Sequence, residues 1–297
     1  MRAPQSRVGR SEAIHGYLFA LPAVIFLLAF IAYPLFDSIR MSLFRWDGLT
    51  PPDFRGLSNY VFLLTEDDVF GLAVRNTLLY SALSVVGIVG IGFFLAIAVE
   101  RRVRGWQVYK VVWFLPVILS QTVVSILWAK FYDPTGGLIN AILSGLGVSD
   151  PSIEWLGNPD LVMYSAGFVS IWQYAGYSMI LLLAAMENIP TEIHDAATID
   201  GVGAVRRIVN IIFPLIRPVF SVVVMLLIIN SLKTFDTIYV LTSGGPGDAS
   251  TVLSIHLYKN AFDYYSFGYA SAIATLMFLI LFTVGLLYQR FLRVGES

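Results

Sequence analysis

The sequence contains no cysteine. Disulfides, iron–sulfur clusters, thiolate zinc sites and cysteine nucleophiles are therefore excluded within this chain. Histidine is scarce as well: His15, His194 and His256 lie far apart in sequence, so an internal metal centre would have to rely on carboxylates. Charge is low. Only 13% of the residues are Asp, Glu, Lys or Arg, where about 25% is usual in soluble domains. The charges nearly cancel, 19 Lys and Arg against 20 Asp and Glu. No global basic field exists to attract nucleic acid, which is not expected as a partner. The phosphate-cradling pattern G-x-x-x-x-G-K-[ST] is missing, and none of the four lysines (Lys110, Lys130, Lys233, Lys259) follows a glycine. ATP binding of that kind is not expected here, and energy for any transport must come from a partner or an ion gradient.

What is abundant is apolar. Hydrophobic residues make up 57% of the 297, and the mean hydropathy is +0.74. A soluble globule of this size could not hide so much apolar surface, and disorder or a collagen-like repeat would need the opposite composition. Crossing about 30 Å of hydrocarbon takes about 20 apolar residues as helix. Six stretches qualify, at 15–38, 73–99, 109–130, 161–186, 208–231 and 268–289. The expected fold class is an all-α membrane protein with six transmembrane helices, and membrane lipid is one of its partners. Arg2, Arg7 and Arg10 before the first apolar run imitate a signal peptide. The run is too long for one, no A-x-A site follows, and five more spans come after it.

Alternate connections collect the cations: 12 of the Lys and Arg side chains fall on one side and seven on the other, spread over far more residues. By the positive-inside rule both termini are expected in the cytoplasm. The chain then divides into an N-terminal segment (1–14), a first helix with its external loop (15–72), a five-helix core (73–290) and a short tail (291–297). The external loops (39–72, 131–160, 232–267) carry turn pairs such as Pro51-Pro52, Asp133-Pro134, Asp150-Pro151 and Gly244-Gly245-Pro246-Gly247. Loops this long are usually functional. Trp46, Trp128, Trp155, Tyr258, Tyr264 and Tyr265 fall near the outer ends and are expected as an interfacial aromatic belt.

One cytoplasmic connection reads NIPTEIHDAATIDGVGAVRRIVNIIFPLIRP, Asn188 to Pro218. Pro190 ends the preceding span. Thr191 offers an N-cap for a short helix, Gly201 and Gly203 break it, and Ala204 starts a second helix that runs into the next span. An amphipathic loop on lipid is the plain alternative, but Asp195 and Asp200 make the first helix acidic, and anionic headgroups would repel it. A protein partner explains the acid better. The spacing Asp195-Ala196-Ala197, three residues, Gly201, nine residues, Ile211, one residue, Phe213-Pro214 resembles the EAA loop, E-A-A-x3-G-x9-I-x-L-P, of ABC importer permeases. Asp195 stands for Glu and Phe213 for Leu. YVLTSGGPGDAST (239–251), RNTLLY (75–80), FLPVILSQTVVSILW (114–128) and DPTGGLINAIL (133–143) extend the likeness to the carbohydrate-uptake branch of that family, the maltose/glycerol-phosphate permease type.

The resemblance implies a type I ABC importer transmembrane domain in a prokaryotic inner membrane, with no cofactor of its own. Its partners would be a second permease subunit, two copies of a cytosolic ATPase that binds ATP and Mg, and an extracytoplasmic solute-binding protein. The chain itself would not be an enzyme. Asp195, Ala196, Ala197, Asp200, Gly201 and Pro214, within loop 188–214, would couple to the ATPase. Trp172, Gln173, Tyr174 and Tyr177 on span four, with Asn230, Ser231 and Thr234 at the end of span five, would line the solute path. Ser120, Gln121 and Ser125 on span three are weaker candidates, and Lys233 is expected to pair with Asp236. A di- or oligosaccharide is the expected cargo, with glycerol-3-phosphate or a glycerophosphodiester as the alternative. An ion-coupled carrier would need carboxylates at membrane depth, whereas Asp37, Glu100 and Glu187 lie at span ends. A membrane-embedded enzyme would need clustered His, Asp or Glu there, which the sequence lacks.

Overall fold

The computed structural model describes residues 10–100, 104–148 and 152–294. Arg2, Arg7, Arg101, Arg102 and the Asp150-Pro151 pair lie outside them. The chain opens on one long rod: α1 (Arg10–Leu27), a π-helical turn (Leu28–Ala32) and α2 (Tyr33–Met41). The most apolar part of this rod is unburied within the chain. Its C-terminal half ends at a two-residue antiparallel pairing of β1 (Phe44–Arg45) with β2 (Asp53–Phe54), followed by α3 (Ser58–Thr65).

The core is built on α4 (Asp68–Glu100) and α8 (Val162–Glu187), which pack along much of their length. Small residues permit the approach. A Cβ added at Gly92 of α4 would sit 2.6 Å from Ser178 Cβ of α8. α11 (Phe213–Leu232) packs on both, and α14 (Phe267–Val294) packs on α2 and α11. Three buried clusters result. Ala96, Met179, Leu182, Met186, Ile212 and Ile216 join the α4, α8 and α11 ends near the 188–214 connection. Tyr80, Val124, Trp128, Val162, Ile238 and Ile255 form a second cluster at the opposite end. Leu63, Phe70, Ala73, Leu253 and Ile273 form a third under α3. Large apolar side chains such as Phe94 and Val86 point outward instead, as they can where the solvent is lipid.

The expected third span is corrected. It is not one helix but two, α5 (Trp106–Ile118) and α6 (Gln121–Phe131), bent by 100°. Pro116 removes one backbone donor, and Leu119 and Ser120 turn extended between the halves. Among the described residues five helices, or six if the bent pair counts as one span, are long and apolar enough to cross a membrane. The remaining elements are short: α7 (Leu138–Gly145), α9 (Thr191–Ile199), α10 (Ala204–Arg207) with a π turn (Ile208–Ile212), α12 (Asp236–Thr242), and α13 (Leu253–Tyr258) with a π turn (Lys259–Asp263). Trp128 is not a belt residue. It is 5% exposed and packs against Phe131, Tyr132, Phe168 and Trp172.

Candidate functional site

Helical spacing builds a cavity of about 540 Å³ between α4, α8, α11 and the break in the third span. α4 contributes Tyr80, Ser84 and Ile88, one residue per turn. α8 contributes Ser170, Tyr174 and Tyr177, and the end of α11 contributes Leu227, Asn230 and Ser231, with Thr234 just beyond. Val117 and Gln121 enter from either side of the break. The wall is knitted by hydroxyls. Ser81 and Ser231 share a hydrogen bond at 2.6 Å, Tyr80 bonds Ser170, and the Tyr174 hydroxyl donates to Gln121 Oε1 at 3.4 Å. Gln121 Nε2 in turn donates to Thr237.

Two lining hydroxyls, Ser84 Oγ and Thr234 Oγ1, are buried without a partner among the described residues, as is Ser178 Oγ outside the lining. Buried polar groups are nearly always satisfied, so these two mark a place where a polar guest would be welcome. Lys233 and Asp236 also line the cavity, yet no ion pair joins them, against the sequence expectation. Each instead sits at a helix end of favourable sign: Lys233 caps the C-terminus of α11, and Asp236 opens α12.

Of the expected path residues, Tyr174, Tyr177, Asn230, Ser231 and Thr234 line the cavity, and Trp172 and Gln173 do not. Trp172 points away and packs on Trp128, ring centres 5.5 Å apart. Gln173 is 1% exposed and donates through Nε2 to Leu119 O at 3.3 Å, bracing the break. Ser125 also turns inward, bonded to Gln121 O. Tyr80, Ser84 and Ser170 were not singled out by the sequence reading. The signal for them existed: Ser170 lies one turn before Tyr174, and Tyr80 and Ser84 share one face of α4.

At the other end, the connection between α8 and α11 forms an elbow. Pro190, not Thr191, occupies the cap position of α9, because Thr191 already has helical geometry and Pro190 is extended. Asp195 and Ala196 on α9 and Asp200 at its C-cap are exposed, whereas Ala197 is buried. The small side chain of Ala197 thus serves packing within the chain. Asp195 and Asp200 take part in no ion pair among the described residues. Ile199 and Val205 are bare at the tip, 86% and 75% exposed. Gly201 turns the elbow at φ +67° with open space around it, while Gly203 is an ordinary extended cap for α10. Both glycines are expected from the sequence to break the helix; only Gly201 needs glycine's conformational freedom. Arg207 reaches back to His194 Nδ1 and fixes the angle between α9 and α10. Pro214 stands exposed at the start of α11, just after the π turn; the helix runs on from Ala204 to Leu232, so proline removes a backbone donor inside it.

Residues 88–293 match the family model described as the binding-protein-dependent transport system inner membrane component. The chain belongs to this family. It is a multi-pass inner-membrane transport permease. It is 39% identical to the probable ABC transporter permease YurN of Bacillus subtilis over 284 residues, which covers 95% of this chain and 97% of the relative. It is 34% identical to the trehalose/maltose transport system permease MalF of Thermococcus litoralis, covering 98% and 97% of the two chains. Among solved structures, a bacterial ABC transporter involved in import of the acidic polysaccharide alginate superposes with TM-score 0.84 at 23% identity, covering 97% of this chain and 98% of that one. The fold is therefore that of a type I ABC importer permease, as the sequence implied.

Proposed function

We propose that this chain forms half of the translocation pathway of an ATP-driven importer for a sugar, a di- or oligosaccharide. In this reading the elbow faces the cytoplasm, and with it both termini. An extracytoplasmic binding protein delivers solute to the opposite end, a second permease supplies the other wall, and two ATPase subunits grip the elbows and hydrolyse ATP. The observation that carries the reading is the placement of the elbow. It joins the two helices, α8 and α11, whose far ends line the cavity. At about 1.5 Å per residue, Tyr177 lies about 15 Å along α8 from Glu187, and Asn230 about 25 Å along α11 from Phe213. Both helices are continuous over those lengths, so a displacement applied at α9 reaches both walls as rigid motion.

The cargo class rests on the cavity's chemistry, hydroxyls, amides and tyrosine rings, and on the relatives' names, which include permeases for trehalose/maltose, multiple sugars and diacetylchitobiose. Glycerol phosphate fits less well. Lys233 is the cavity's one cation among its lining residues, and Asp236 offsets it. Asp195 is the group assigned to a charge-assisted hydrogen bond with the ATPase. The test is reconstitution of the complete transporter in liposomes with its binding protein. Sugar-stimulated ATP hydrolysis is expected, and Asp195→Lys is expected to abolish it while this chain still inserts. Sugar uptake by this chain without the ATPase refutes the reading.

A further inference from the structure

A ladder of aromatic rings runs from the cavity to the outer face of the molecule. It begins at Phe235, which lines the cavity. Phe235 stacks on Tyr239 with ring centres 4.8 Å apart and lies 5.3 Å from Tyr258. Tyr258 continues to Phe262 at 5.1 Å, Phe262 to Phe267 at 6.1 Å, and Phe267 to Trp46 at 5.7 Å. Trp46 lines a second cleft, of about 960 Å³, between the β1–β2 loop and the Tyr264-Tyr265 turn.

Three features set this ladder apart from ordinary core packing. None of its six rings is buried: each keeps part of its surface open, and Phe262 is 55% exposed. Both of its ends open into clefts whose linings include hydroxyl, amide and charged side chains, while Phe235 and Tyr239 also pack on the cluster around Ile238 and Ile255. The outer cleft is furnished with exposed rings beside ions and hydroxyls: Tyr264 and Tyr265 are 66% and 62% exposed, and Arg45, Asp47 and Thr50 share the wall. Tyr265 is held at φ +52°, a conformation that non-glycine residues keep only where the surroundings enforce it.

We infer that these rings are a carbohydrate-binding track, which receives a sugar at the outer cleft and hands it to the cavity. The inference rests on the sugar reading above. A pyranose presents C–H groups on its faces and hydroxyls on its rim. Rings spaced 4.8–6.1 Å apart offer successive apolar platforms of similar strength, so no single position traps the solute. Polar side chains at both ends take the hydroxyl rim. A chain of separate hydrogen-bond sites would instead require the solute to break several bonds at each step.

The absence of native cysteine makes the test direct. Single-cysteine versions of this chain, Phe262→Cys and Tyr264→Cys on the track, Tyr177→Cys in the cavity and Tyr164→Cys on the exposed face of α8, are assembled into the complete transporter. Labelling by a membrane-impermeant maleimide is followed on this chain by mass spectrometry. The probes are trehalose, maltotriose, diacetylchitobiose and an alginate trisaccharide at millimolar concentration. The track predicts that at least one probe slows labelling several-fold at 262 and 264 and leaves 164 unchanged. Protection at 177 with none at 262 and 264 overturns the track and leaves the sugar reading standing. No protection anywhere by any probe overturns both. Failure of 262 and 264 to label without sugar shows that another subunit covers them, and also overturns the track. In the same system Tyr258→Phe, which keeps the ring, is compared with Tyr258→Leu. Tyr258→Leu, which keeps only apolar bulk, is expected to slow uptake several-fold, and equal rates for the two refute the role of the ring.

Discussion

Gly176 sits on α8 where the backbone of α5 crosses it, and its replacement by alanine is the sharpest perturbation the fold offers. A Cβ there would lie 1.9 Å from Trp113 O, 2.5 Å from Trp113 C and 3.0 Å from Phe114 Cα. Ordinary van der Waals contact begins at 3.4 Å, so α5 must retreat by about 1.5 Å, the difference between that limit and the closest approach. The obstructing atoms are backbone and cannot rotate away. Overpacking of this kind costs about 1–3 kcal/mol. The shift also acts next to the break, where Gln173 holds Leu119 O at 3.3 Å. Losing that bond adds about 1 kcal/mol. At about 2–4 °C per kcal/mol, the purified transporter carrying Gly176→Ala should melt roughly 5–15 °C lower. Gly90→Ala is the control. It lies on α4 with nothing near its added methyl, and alanine there gains up to about 1 kcal/mol of helix propensity. Melting of detergent-purified protein, followed by size-exclusion chromatography after heating, separates the two. Equal melting of Gly176→Ala and the parent refutes the claim that glycine keys α5 onto α8.

At the elbow, Gly201→Val should abolish sugar-stimulated ATP hydrolysis, because a β-branched residue at φ +67° costs about 1–2 kcal/mol or more in backbone strain. Gly201→Asn should keep much of the activity, since asparagine tolerates that conformation, and Gly203→Ser should be neutral, serine being a good cap for α10; if Gly203→Ser proves as damaging as Gly201→Val, the assignment of the turn to Gly201 is wrong. In the loop between β1 and β2, the backbone amides of Thr50 and Leu49 and the Thr50 hydroxyl hold the Asp47 carboxyl down from 3.8 to about 2. A lowered folded value means the turn's stabilisation is complete above the unfolded value and is lost as pH falls from about 4 towards 2. Amide hydrogen exchange at residues 49 and 50, corrected for intrinsic rates, should therefore hold steady from pH 8 to 5 and rise below pH 4, and Asp47→Asn should erase that dependence.

Much of this molecule could be read in its sequence because lipid enforces a simple rule: any segment that crosses must be apolar and must bond its own backbone. The helices around 73–99, 161–186, 208–231 and 268–289 met that rule, and the structure places them within a few residues of those bounds. The elbow was legible for a different reason. A proline stop, a left-handed glycine and two unpaired carboxylates are local features, and local features survive without tertiary context. The third span defeated the same rule because its composition is uniformly apolar through the break. Pro116 marked it, but a proline within a span is compatible with a mild kink, and the 100° bend is decided by what receives the freed backbone, here Gln173 from α8. Gln173 serves that break and does not line the cavity. A buried amide on a cavity-bearing helix resembles a solute ligand until the carbonyl it serves is known. Trp172 stands off the cavity by angle alone: at about 100° per residue it lies on the flank opposite the face shared by Ser170, Tyr174 and Tyr177. The cavity itself follows from periodicity once one wall is fixed. Positions 80, 84 and 88 on α4 and 227 and 231 on α11 repeat at a helical turn, and the hydroxyls of Tyr80, Ser84 and Ser231 in those rows face the cavity. What periodicity could not supply was which rows face one another. Gly92 and Gly176 settle that by backbone approach, and a glycine in sequence does not declare its neighbour.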